Sequence, residues 1–126
     1  MWVTSAEIEG VYQAIVEYAS KLARLEREVM SRSKSQTMDE GLEGIVLVRI
    51  SLMKVAGSLK TLADLVERGE VLRASIEACS IGRDVMEMAS SLSGGPVAGP
   101  ARSLLLQAYR VLNTLCNPSG QRHYPA

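Results

Sequence analysis

Phenylalanine is absent from this 126-residue chain, and aromatic residues of all kinds make up only 4% of it. Leu, Ile, Val, Met and Ala must then do the packing, which suits a helical bundle better than a β-sandwich. Histidine occurs once and cysteine twice. So small a supply of bases, nucleophiles and soft ligands disfavours catalysis and metal binding, and the chain reads as a non-enzyme without a cofactor or a small-molecule substrate. Cys79 and Cys116 are too few to staple a disulfide scaffold and too far apart for a zinc pair. A reduced compartment, or indifference to redox state, is therefore expected. No run of about 18 apolar residues exists, so no transmembrane segment is expected. The opening Met1-Trp2-Val3-Thr4, followed by Glu7 and Glu9, has neither the basic start nor the apolar centre of a signal peptide. Net charge is lacking too: Lys plus Arg and Asp plus Glu number 14 each. That excludes a histone-like, strongly basic binder but leaves room for a local basic face.

Apolar residues, by contrast, are abundant at 47%, enough to bury one compact core. Their spacing predicts a single all-α domain over 1–126, a bundle of about four helices, with helices near 5–30, 38–68, 70–92 and 100–116 and a short tail over 117–126. Thr4 and Glu7 have capping-box spacing. Ile8, Val11, Ile15, Tyr18, Leu22, Leu25 and Val29 follow at alternating steps of three and four. The polar stretch Ser31 to Gln36 ends that helix. Thr37 and Glu40 offer a second capping box, and Gly69 a stop. Between them runs the face Leu42, Ile45, Val48, Leu52, Val55, Leu59, Leu62 and Val66, with Val46, Ile50 and Met53 pointing elsewhere. The run Ile45 to Val48 could be a buried strand, but helical spacing continues on both sides and no partner strand is visible. The third helix places Ala74, Ala78, Ile81, Val85, Met88 and Leu92 on one face, with Leu72, Ile76 and Cys79 beside it. Ser93 to Pro100 is the clearest loop, and Pro100 suits the first position of the fourth helix. That helix carries Ala101, Leu104, Leu105, Ala108, Val111, Leu112 and Leu115 as its apolar arc.

Candidate chemistry is sparse. His123 has no Cys or carboxylate at ligand spacing, and both cysteines lie on or beside apolar faces, where a thiol behaves as a small hydrophobe. Glu26, Glu28, Glu40, Glu43, Glu67 and Glu70 read as solvated charges and helix-terminal partners. Charge distribution is more informative. Glu87 is the last acid, so the final third of the chain carries only Arg102, Arg110 and Arg122. On a helical wheel Arg102, Leu106, Tyr109, Arg110 and Asn113 gather opposite the apolar arc. Guanidinium groups match phosphate oxygens, so Arg102, Arg110 and Asn113 form a candidate contact to a nucleic-acid backbone. Lys21, Arg24, Arg27, Arg32 and Lys34 form a second set, diluted by Glu26 and Glu28. No helix-turn-helix spacing points to sequence reading. The second apolar face of the second helix, Leu106, and Trp2-Val3 exceed what one small bundle needs, which points to an oligomer.

Gly99-Pro100-Ala101-Arg102, then Gln107-Ala108-Tyr109 and Val111-Leu112-Asn113, resembles the C-terminal helix of the major coat proteins of rod-shaped and filamentous double-stranded DNA viruses of hyperthermophilic archaea. The resemblance covers about 15 residues of the 126. It implies a helical subunit that pairs with itself or with a paralogous coat subunit, wraps double-stranded DNA as helical arms and holds it in the A form. A location in the virion, assembled in the host cytoplasm, would follow. The basic, Pro- and Ser-rich N-terminal arm of the rod-shaped members has no counterpart here, which makes the filamentous, enveloped branch the nearer comparison. Ten Arg against four Lys, and only two Asn, is compatible with a thermophilic source. The expected function is a structural nucleoprotein subunit binding the DNA backbone without sequence preference. The alternative is a soluble dimeric helical adaptor, cytoplasmic and without nucleic acid.

Overall fold

The computed structural model describes residues 3–32, 40–92 and 94–117. Four helices account for nearly all of them: α1 (Ser5–Arg32), α2 (Glu40–Glu67), α3 (Val71–Ser91) and α4 (Ala98–Cys116). Among the described residues there is no strand, and Ile45 to Val48 are helical. Over the described residues the protein is an all-α bundle of four helices.

Local chemistry sets the helix ends. At the start of α1 the Glu7 amide donates to Thr4 Oγ1 at 3.2 Å, and the Thr4 amide donates back to Glu7 Oε1 at 3.2 Å. The expected capping box is therefore closed, and two backbone donors without helical partners are satisfied. Thr37 of the second box lies outside the described residues. At the end of α2, Gly69 takes φ +79°, a left-handed conformation that glycine adopts without steric cost. Its amide donates to Val66 O and the Glu70 amide to Leu65 O, the paired bonds of a Schellman stop. Pro100 sits at the third residue of α4, not the first as expected, because the helix begins earlier at Ala98. The same physics tolerates it there, since amides throughout the first turn lack a helical acceptor.

The helices pack in ring order: α1 on α2, α2 on α3, α3 on α4, and α4 back on α1. Neighbours run antiparallel. Glu26, late in α1, pairs with Arg49, early in α2, while Glu9 lies 3.1 Å from Lys60 near the other end. The Lys60 ammonium also sits 5.3 Å from the centre of the Tyr12 ring. α1 and α2 have 28 residues each and α3 and α4 have 21 and 19. At 1.5 Å per residue this is about 42 Å against about 30 Å, so the α1–α2 hairpin is the longer arm.

Ile8, Ile15, Leu52, Leu59, Leu62, Val85, Leu105, Leu112 and Leu115 fill the centre, and among the described residues no polar or charged one is buried with them. Each contributes roughly 1.5–3 kcal/mol by leaving water. The face expected of α2 is the observed one: Leu42 through Leu62 at the predicted positions are all buried. α3 differs in texture. Its buried stripe is Ala74, Ala78, Gly82, Val85 and Ala89, small residues that let α4 approach closely. An added Cβ on Gly82 would lie 3.6 Å from Leu112 Cβ.

That close approach joins the two cysteines. Cys79 and Cys116 form a disulfide across α3 and α4, with Cα atoms 4.7 Å apart. The expectation of two free thiols is overturned. A separation of 37 residues says nothing about distance once an antiparallel hairpin folds it back on itself.

Candidate nucleic-acid interface

α4 supplies the first candidate set. Its sequence contains no acid, so Arg102 and Arg110 are its only formal charges. Both are exposed, and neither has an ion-pair partner among the described residues. Eight residues separate them, roughly 12 Å along the helix, a span of the order of the B-DNA major groove width. Asn113 is exposed too, and its Oδ1 accepts a long hydrogen bond from Asn117 Nδ2 at 3.5 Å.

The other two members of the predicted polar face belong elsewhere. Leu106 and Tyr109 are half-buried and packed against the core. Gly82 explains why: with no side chain at that point of α3, the Tyr109 ring reaches to 4.0 Å of where a Cβ would stand. Tyr109 and Asn113 line a shallow cleft with Cys79, Gly82, Met86 and Cys116. A helical wheel counts only one helix, and here a second helix covers the flank that the wheel assigns to solvent. The candidate contact on α4 narrows to Arg102 and Arg110, with Asn113 beside them.

α1 supplies the second set. Lys21, Arg24 and Arg27 are exposed and unpaired among the described residues. Arg32 lies 3.6 Å from Glu28, with both side chains mostly in solvent. Lys34 lies outside the described residues. Glu26 does not dilute this cluster as the sequence suggested, because its carboxylate turns inward to Arg49. That hydrogen bond is the main reason the Arg49 guanidinium holds its proton more tightly than usual, offset in part by burial.

The two sets lie on adjacent helices. α4 has α1 on one flank and α3 on the other. Arg102 precedes Tyr109 by seven residues, two full turns, and so lies on the flank toward α3. α1 and α4 do meet at one polar contact, where the Tyr18 hydroxyl donates to Val97 O at 2.7 Å.

Among the described residues, no three His, Cys, Asp or Glu side chains gather to hold a metal ion. No helix among them is long and apolar enough to cross a membrane. The exposed large apolar side chains among the described residues are Leu47, Ile50 and Met53 on α2, Val71, Leu72 and Ile76 on α3, and Met30 on α1, one turn after Arg27. The sequence signalled Ile50 and Met53 on α2, together with Val46, which the structure half-buries. It placed Leu72 and Ile76 beside the main face of α3 and did not single out Leu47. Met30 and Val71 carried no such signal. Comparison with known families, curated proteins and solved structures finds no match to this chain.

Proposed function

We propose that this protein is a structural nucleoprotein subunit, an all-α coat protein that assembles into a filament and binds the backbone of double-stranded DNA. The observation that carries this reading is the pair of exposed, unneutralised arginines on a helix without acids. Several other arginines of the bundle have acidic neighbours within reach. Arg68, for example, has both Asp64 and Glu70. Arg102 and Arg110 keep their full charge for a phosphate, and the guanidinium fork suits it. The Gly-Pro-Ala-Arg sequence that resembles the archaeal coat proteins forms the first turn of α4, with Arg102 at its end.

The α1 set takes a secondary role. It lies on the neighbouring helix, so Lys21, Arg24 and Arg27 reach a duplex lying on α4 either from the same subunit or from the next one. The disulfide is compatible with a virion and also with the cytoplasm of a hyperthermophile, whose intracellular proteins are disulfide-rich. The rival reading, a dimeric helical adaptor, draws on the same exposed apolar residues of α2 and leaves the α4 arginines without a task.

Binding of fluorescent double-stranded DNA at low salt separates the two. The wild-type chain should bind and should release as salt rises, because neutralised phosphates give up counterions. R102E/R110E should lose binding while keeping its helical circular dichroism. A wild-type chain that ignores DNA at low salt leaves the adaptor. A double variant that still binds moves the interface to α1.

A further inference from the structure

The outward face of α2 carries a seam that nothing in the bundle covers. Glu43, Leu47, Ile50 and Lys54 recur at steps of four, three and four, which places all four on one stripe. Leu47 and Ile50 are 59% and 52% exposed, unusual for large aliphatic side chains in mid-helix. Met53 beside them is 44% exposed. Glu43 and Lys54 bracket the apolar pair, and neither has an ion-pair partner among the described residues. Gly57, next along the stripe, is exposed and presents no side chain to hold a neighbouring helix away.

We propose that this seam is the interface of a homodimer, in which the α2 helices of two copies pack antiparallel about a twofold axis crossing between Val48 and Arg49. Across such an axis, residues equidistant from the midpoint face each other. Leu47 and Ile50 have that midpoint, and so do Glu43 and Lys54. A dimer that buries Leu47 on the partner's Ile50 therefore also sets Glu43 against the partner's Lys54, and does so twice. Parallel pairing would oppose Glu43 to Glu43 and Lys54 to Lys54, so the charges select the antiparallel arrangement. The apolar centre supplies the drive to associate, and the two ion pairs fix direction and register. This inference rests on the assembly part of the function proposed above and not on its DNA part.

Sedimentation velocity of the full chain over a concentration series, without DNA, tests it. E43K and K54E each place like charges together at two symmetric points, and each should raise the dimer Kd about tenfold. The combined E43K/K54E exchanges the two charges and should return the Kd to within about threefold of wild type. I50E should abolish the dimer. All three substitutions lie at exposed positions, and circular dichroism should report unchanged helicity. A wild-type chain that stays monomeric to millimolar concentration overturns the proposal. So does a dimer indifferent to the single reversals, or one that the double exchange fails to restore. DNA binding is read separately, so failure here leaves the R102E/R110E result standing, and the reverse holds as well.

Discussion

Tyr18 is one of few polar side chains that the bundle draws inward, and a single hydrogen bond, to Val97 O, holds it. Burial raises its phenol pKa above the ordinary 10.0. Below that pH the phenol is protonated in both folded and unfolded chains, and the bond contributes fully. As pH rises further the unfolded chain ionises first, so the contribution is lost as pH passes through the raised folded value. Tyr18→Phe should therefore cost about 1 kcal/mol at neutral pH by chemical denaturation. Its stability should also decline less than that of the wild type above about pH 10. Equal decline in both chains would show that Tyr18 is not the group responsible. The sequence placed Tyr18 on the core seam but could not supply its acceptor, which comes from a loop 79 residues away. Thr4 and Glu7 were legible because both partners sit within one turn. The same limit explains the cysteines: each reads correctly as beside an apolar face, and only the fold brings the two together.

Helices were legible where burial follows a strict period. The face of α2 from Leu42 to Leu62 was read residue by residue, because one uninterrupted stripe of large side chains enters the core. α3 was harder, since small residues do its packing and Gly82 carries no hydrophobic signal at all. Its partner Tyr109 was consequently assigned to solvent. The α3–α4 hairpin relies on closeness more than on volume, and the Cys79–Cys116 bond ties it at the end where α4 finishes. A crosslink closing a loop of this length can contribute up to about 3–4 kcal/mol by restricting the unfolded chain. C79A/C116A, or reduction of the wild type, should lower the thermal midpoint by roughly 10 °C or more. Far-UV circular dichroism at 25 °C should barely change, because Leu105, Leu112 and Leu115 remain buried without the bond. Loss of helicity on reduction would mean that the small-residue stripe cannot hold α3 to α4 unaided.

Zero net charge for the whole molecule hides a segregation: acids occur on α1, α2 and α3, and none on α4. Under the function proposed above, such a subunit presents a positive helix to DNA and a mixed surface outward, which keeps a packed filament from accumulating charge. The salt dependence of binding measures how many of these charges meet phosphate. Each neutralised phosphate on duplex DNA contributes a slope of about −0.9 in log K against log salt. A dimer using only Arg102 and Arg110 from each copy makes four such contacts, which corresponds to a slope near −3.6. R102Q/R110Q removes them without adding repulsion, so the slope should fall close to zero if α4 acts alone. If Lys21, Arg24 and Arg27 also reach phosphate, the wild-type slope should be steeper, and the variant should retain the excess. Measured in dilute solution and again under filament-forming conditions, the two slopes locate the α1 contacts. An excess confined to filaments assigns them to the next subunit along. An excess already present in dilute solution assigns them to the same dimer that supplies Arg102 and Arg110.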